Sequence, residues 1–378
     1  MTGDLLLKLI WHDRKRILIT ITSSLFVIIL GFYYPSILDF IKDTKNDIFK
    51  IKVFGEFTQT MNLQKNKMYL ILAAPSIHDK YYKNYFNEIV NFQVEYAKKI
   101  IQHNTDNIRI LVDSDTKNYY EERLPSETLI TEEMYDIWIR DFATINPENP
   151  VQFIYTNASM SKIDSIKTQE KFLNFAKKYS IKIEKISYII DGGNIVDNYD
   201  GKIITTTRFL EDNSLQYNEG KKILKELLKA NEVAIIEPDD DILAHADGMV
   251  AWIDKNVLAV NDYSKLDSEF HSIVINELQN SFPNTKIVTV PVSFDKKDEI
   301  DQTKGIGSAC GINLNLVSTY TTLYVPVFGN DYENQALEII KNNTSKEIIK
   351  IDAKNICIFG GSVRCTTWQI TEINAEEF

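Results

Sequence analysis

Met68-Tyr-Leu-Ile-Leu-Ala-Ala74, an amphipathic stretch running to His103, and Ile108-Arg-Ile-Leu-Val112 decide the fold. The outer two are short apolar runs of strand length and the middle one has helical periodicity, so together they predict a β-α-β unit. Working outward, the same rhythm continues through strands at Val151 to Tyr155, Ile203 to Thr207 and Val233 to Ile236. Helices are predicted near Thr168 to Tyr179 and Tyr217 to Leu228. Later come strands at Gly248 to Ile253, Ile287 to Val290, Ile312 to Val317 and Thr321 to Val325, with helices near Leu266 to Asn280 and after Asp331. The class is α/β. Strand pairs followed by one helix recur about every 50 to 70 residues, the pattern of several βαβ-type modules in one domain.

Upstream lies a different kind of sequence. From Ile17 to Leu38 there is no charged residue, and at about 1.5 Å rise per residue that run can cross a hydrocarbon layer of roughly 30 Å. The expected organisation is a polar, basic flank over 1–16, a transmembrane helix over 17–38, a stalk over 39–66 and a globular domain over 67–378. No small-x-small cleavage pattern follows the apolar run, which argues for an uncleaved single-pass anchor. Arg14, Lys15 and Arg16 stand before the span and Lys42, Lys45, Lys50 and Lys52 after it. The tight cluster leans toward an inside N-terminus and an extracytoplasmic domain, although the counts nearly balance.

The 378 residues are 44% hydrophobic and 25% charged, an ordinary globular composition, and the formal charge is -11. That balance argues against a nucleic-acid surface, which needs clustered Lys and Arg, and suits a cationic substrate. The three cysteines, Cys310, Cys357 and Cys365, match neither a zinc ligand set nor a disulfide framework. Cys357, in the apolar run Asn355 to Phe359, reads as a small buried hydrophobe; Cys310 is left undetermined.

Four short segments carry candidate chemistry. Of the five histidines, His12 lies in the leader, leaving His78, His103, His245 and His271 as candidate bases. His245 stands out because Asp247 follows two residues on, the spacing that shares one face of an extended strand. In Phe359-Gly-Gly-Ser-Val-Arg-Cys-Thr-Thr-Trp368 a Gly-Gly turn after a buried strand presents Cys365, and Arg364 beside it favours the reactive thiolate. Asp141, in Tyr135-Asp-Ile-Trp-Ile-Arg-Asp141, and Asp191, in Ile189-Ile-Asp-Gly-Gly-Asn194, each place a carboxylate at a strand end. Taken singly, each segment also fits a surface turn, an ion pair or a core position.

Taken in order, Trp138-Ile-Arg-Asp141, Asp191-Gly-Gly-Asn194, His245-Ala-Asp247 and Gly360-Gly-Ser-Val-Arg-Cys365 resemble the agmatine deiminase and Porphyromonas-type peptidylarginine deiminase family of guanidino-group-modifying enzymes. The resemblance spans about Met68 to the C-terminus, and the joint order carries it. It implies a pentein-like, five-bladed α/β propeller of ββαβ modules. It also implies Cys365 as nucleophile, His245 as general acid and base with Asp191 orienting it, and Asp141 and Asp247 as the carboxylates gripping a guanidinium. Trp138 and Arg364 are expected to line the substrate. No metal or organic cofactor is required. Two departures stand near the chemistry: Arg364 where the family commonly has His, and Asp191 where it commonly has Glu.

The expected activity is hydrolysis of a guanidinium C–N bond through a cysteinyl thiouronium, with agmatine, free arginine or peptidyl arginine as substrate. A cytoplasmic domain favours agmatine feeding polyamine synthesis and an external one favours peptides. The alternatives are an amidinotransferase sharing that intermediate, or a non-catalytic membrane-bound guanidinium binder. Oligomeric state is not legible.

Overall fold

The computed structural model describes residues 67–157, 160–239, 243–292, 307–375 and 378. The predicted flank, span and stalk lie outside them. Among the described residues no helix is long and apolar enough to cross a membrane.

The chain starts with β1 (Met68–Ala73), α1 (Phe86–His103), β2 (Asn107–Val112) and β3 (Leu129–Thr131), then a single helical turn α2 (Ile139–Phe142). A second unit holds β4 (Val151–Ile154), α3 (Lys162–Lys178) and β5 (Glu184–Ile189). A third holds β6 (Val196–Asp197), β7 (Lys202–Thr206), α4 (Tyr217–Leu227) and β8 (Glu232–Ile236). A fourth holds β9 (Val250–Asp254), β10 (Val257–Asn261), α5 (Ser268–Ser281) and β11 (Lys286–Val290). The last holds β12 (Val317–Ser318), β13 (Thr322–Val327), α6 (Glu333–Lys341) and β14 (Glu347–Asp352), and β15 (Trp368–Thr371) closes the chain.

The described strands form five small sheets built on one plan. An antiparallel pair is followed by a helix and then a strand parallel to the pair's second member: β6-β7-β8, β9-β10-β11 and β12-β13-β14 are complete examples. In the second unit a single antiparallel bridge, Ile145 to Val151, stands in for the first strand. In the first unit that strand is β15, from the far end of the chain, which pairs Met68 with Thr371 and Ile71 with Trp368. The parallel connection explains the intervening helices, because a parallel crossover needs a dozen or more residues.

Local sequence sets the helix limits. Ser161 begins α3 by accepting from the Asp164 amide, and Asp267 begins α5 by accepting from the Glu269 and Phe270 amides. Asn104 ends α1 in the left-handed conformation (φ 53°), its amide returning to the Ile100 carbonyl. Ile89, Val90, Tyr96, Ala97 and Ile100 of α1 pack on Leu70, Leu72, Ile108 and Ile110 of β1 and β2. That stripe recurs every three to four residues, as a helix buried on one side requires.

Most predicted strands and helices are present within a residue or two, with instructive exceptions. The helix expected near Thr168 begins at Lys162, where Ser161 supplies the cap. The strand expected from Ile312 is ladder-paired only at Val317–Ser318. Upstream of it Asn313 and Asn315 spend their side chains on the Pro326 carbonyl and on the turn before Cys365. The run before Gly360 is a one-turn helix, Cys357–Phe359, rather than a strand. Asp141 sits in α2 rather than at a strand end. His245 begins the short turn Ala246–Gly248, so the shared strand face expected for His245 and Asp247 does not exist.

The cysteine reading is corrected outright: Cys310 and Cys357 form a disulfide, with Cα atoms 4.8 Å apart. A bridge between residues 47 apart in sequence depends on how two loops meet, which neither spacing nor local hydropathy encodes.

Candidate active site

Cys365, His245, Asp141, Asp191 and Asp247, separated by more than two hundred residues of chain at the extremes, are buried and brought together in one cluster. α2 delivers Asp141. Its backbone is anchored to the last segment, because the Arg140 amide donates to the Cys365 carbonyl at 3.2 Å. Asp191 follows β5, and the Gly192-Gly193 turn after it runs against α2. A Cβ on Gly192 would lie 2.0 Å from the Arg140 carbonyl oxygen, and one on Gly193 would lie 2.6 Å from both Asp141 Oδ1 and His245 Nδ1. The glycine pair is therefore needed for close approach, not only for a turn. Asn194, last residue of that motif, accepts through Oδ1 from the Thr206 and Ala246 amides and so fixes the loop that carries His245.

His245 lies between two carboxylates: Nε2 is 3.3 Å from Asp191 Oδ2, and Nδ1 is 3.8 Å from Asp141 Oδ1. Burial alone would drive the imidazolium pKa down, but Asp141 and Asp191 outweigh it and raise the group to about 9. Asp191 is itself held by the Thr156 amide and the Arg208 guanidinium. Burial pushes the Asp141 carboxyl up to about 7, against the pull of His245. The Cys365 thiol is raised well above its ordinary range by burial and then by Asp247 and Asp141.

Arg364 spends its guanidinium on partners other than the Cys365 thiol, where the sequence expectation had placed it. Its guanidinium turns away, donating to Asp247 Oδ2 at 2.8 Å and to the Ile195 and Gly193 carbonyls at 2.6 and 3.5 Å. It neutralises one oxygen of Asp247, whose Oδ2 also lies 3.9 Å from Cys365 Sγ. Trp138 reaches the same turn: its ring comes within 2.6 Å of where a Cβ on Gly361 would stand, and the Cys365 Sγ within 3.1 Å. His78 and His103 pair with Asp115 and Glu347 in exposed ion pairs away from these residues.

Sequence reasoning missed Asn315. Its side chain lies 3.2 Å from Cys365 Sγ through Nδ2 and collects the amides of Ser362, Arg364 and Cys365 through Oδ1. The available signal was a polar residue recurring inside the apolar run Asn313-Leu-Asn-Leu316. Among the described residues no group of three or more His, Cys, Asp or Glu side chains is placed to hold a metal ion.

The chain has relatives. The model of the Porphyromonas-type peptidyl-arginine deiminase family matches residues 63–371. The chain belongs to that family. It is a deiminase-type hydrolase with an α/β fold of the kind its pentein-like neighbours share. A protein of Marinomonas sp. (strain MWYL1) named "Putative agmatine deiminase" is 25% identical over 300 residues, covering 68% of this chain and 80% of that one. The solved agmatine deiminase of C. jejuni superimposes with a TM-score of 0.66 at 20% identity, over 82% of this chain and 94% of that one. That of Enterococcus faecalis does so with a TM-score of 0.65 at 15% identity, over 82% and 94%. At these identities the two structures speak for the fold of this deiminase.

Proposed function

We propose that this deiminase hydrolyses the guanidinium of an arginine side chain or of agmatine through a covalent bond to Cys365. The observation that carries the reading is the convergence of one thiol, one imidazole and the Asp141 and Asp247 carboxylates in one buried cluster. A guanidinium is planar, permanently cationic and matched to carboxylates in bidentate geometry.

Asp141 and the Oδ1 of Asp247, the oxygen that Arg364 leaves open, take the substrate cation. Its charge offsets both the burial and the two carboxylates that hold the thiol protonated, so the thiol proton leaves to water and the thiolate attacks the central carbon. His245, held as imidazolium, gives its proton to the departing nitrogen. The C–N bond breaks, ammonia leaves and a thiouronium remains on Cys365. Neutral His245 then takes a proton from water, which attacks the same carbon. The C–S bond breaks, a ureido product forms, and the second water proton leaves with ammonia as ammonium.

The same reading takes the five sheets as blades of a propeller, supported by the pairing of β15 with β1, and keeps the anchor expected over 17–38. The Cys310–Cys357 disulfide supports an extracytoplasmic domain, because such bonds persist in oxidising compartments. That side favours peptidyl arginine over agmatine. Ammonia release from the soluble fragment with agmatine and with arginyl peptides ranks the substrates. Turnover by Cys365→Ala at the wild-type rate would end the mechanism, and labelling of an engineered surface cysteine in intact cells reads the side.

A further inference from the structure

We infer that Asn315 is the positioning residue that makes Cys365 a usable nucleophile, an inference resting on the reading of Cys365 above. The surroundings of Sγ are otherwise adverse. Asp247 Oδ2 is 3.9 Å away, and Arg364, the nearest cation in sequence, is committed to Asp247 and two carbonyls. Among the described residues the Nδ2 of Asn315, at 3.2 Å, is the one side-chain donor to that sulfur.

The Oδ1 of the same amide, itself 3.4 Å from Sγ and an acceptor for the thiol proton, also builds the turn. Oδ1 accepts from the Ser362, Arg364 and Cys365 amides at 3.2, 3.2 and 3.4 Å and from the Ser362 hydroxyl at 3.0 Å. The main-chain carbonyl of Asn315 takes a further bond from the Arg364 amide at 3.1 Å. The second Nδ2 proton points to the Asp247 carbonyl at 3.3 Å. One buried amide thus links the Cys365 sulfur, its turn and the main chain of Asp247. A hydrogen bond to a developing thiolate is charge-assisted, and it strengthens as the proton leaves.

The bridge between Cys310 and Cys357, with the Ala309 amide donating to the Cys357 carbonyl at 2.9 Å, ties together the loops that carry Asn315 and Cys365. The position of Asn315 is therefore fixed from outside the site as well.

Asn315→Asp keeps the acceptor for the three backbone amides and removes the donor to sulfur, but it also adds a carboxylate there; the uncharged Asn315→Ala isolates the lost donor from that charge. Alkylation of Cys365 by iodoacetamide across pH, which needs no substrate, reads the thiol directly, with Cys365→Ala as the blank. The expected result is an apparent thiol pKa at least about one unit higher, seen as roughly tenfold slower alkylation at fixed pH. kcat is expected to fall with little change in KM. Asn315→Ala, which loses donor and acceptor together and adds no charge, is expected to show a displacement in the same direction with a lower Tm, and an Asn315→Ala profile that superimposes on wild type would overturn the inference. Superimposed alkylation profiles for wild type and Asn315→Asp would overturn the inference. Loss of ammonia release with an unchanged thiol profile would overturn it too, while leaving the reading of Cys365 intact.

Discussion

Arg140-Asp141 and Arg364-Cys365 are two dipeptides of one design: each buried arginine is followed by a buried residue of the candidate site. The two dipeptides are joined by the Arg140 amide to Cys365 carbonyl bond. Their electrostatic situations differ. Arg364 meets Asp247 and two carbonyls, and although burial opposes its charge, Asp247 holds its pKa above the ordinary value. Arg140 has a neutral partner, Gln369 Oε1 at 2.6 Å, and its Nε finds no acceptor among the described residues. Burial and then the nearby Arg364 lower it to about 10. A buried cation is stabilised by a carboxylate and only tolerated without one.

The largest test of that contrast is Arg364→Met, which strands Asp247 as an uncompensated buried charge. It is expected to cost about 3–5 kcal/mol in denaturant unfolding and to reduce turnover with it. A loss no greater than that of Arg140→Met would break the comparison. The glycine pair sharpens it next. Gly193→Ala drives a Cβ into Asp141 and His245, and kcat/KM is expected to fall about 100-fold while the circular dichroism spectrum stays native. Gly192→Ala, which strikes the Arg140 backbone instead, is expected to lower yield and Tm before activity per folded molecule.

Arg140→Met should cost about 1 kcal/mol, the value of one lost hydrogen bond to Gln369, because the cation it removes is poorly paired. A cost equal to that of Arg364→Met would show that Gln369 substitutes for a carboxylate.

The smallest effect is in pH dependence. His245 has a folded-state pKa above its free value, so its contribution to stability is complete below about pH 6.5 and is lost as pH rises through about 9. Asp141, raised to about 7, acts in the same direction at lower pH, its contribution fading as pH climbs from the ordinary carboxylate range through that value. Asp191→Asn removes one anion beside His245, so urea melts between pH 6 and 9 should show a flatter decline than wild type. An unchanged slope would mean that Asp191 does not set the imidazole.

Much of this architecture was legible in the sequence, for reasons that differ by residue. The strands β1 and β8 announce themselves because they are almost wholly buried and read as nearly continuous apolar runs. Among the strands that escaped notice, β6 spans two residues, β5 opens on Glu184-Lys185, β14 carries Glu347, Lys350 and Asp352, and β15 carries Gln369 and Thr371 in a short run. Their pairing, not their composition, makes them strands. Asp141, His245, Asp247 and Cys365 were found through motifs in a shared order, yet the local geometry expected for Asp141 and for the His245–Asp247 pair was wrong. Short turns, not strands, carry those residues.

By itself the sequence determined the α/β class, the family and the set of residues that carry functional groups, because apolar periodicity and ordered motifs are local properties of the chain. Tertiary structure alone decided which partner each buried charge received: Asp247 for Arg364, two carboxylates for His245, the Asn315 amide for Cys365, and Cys310 for Cys357. Such partnerships join residues tens to hundreds of positions apart, and their energies depend on distance and burial, quantities that exist only once the chain has folded.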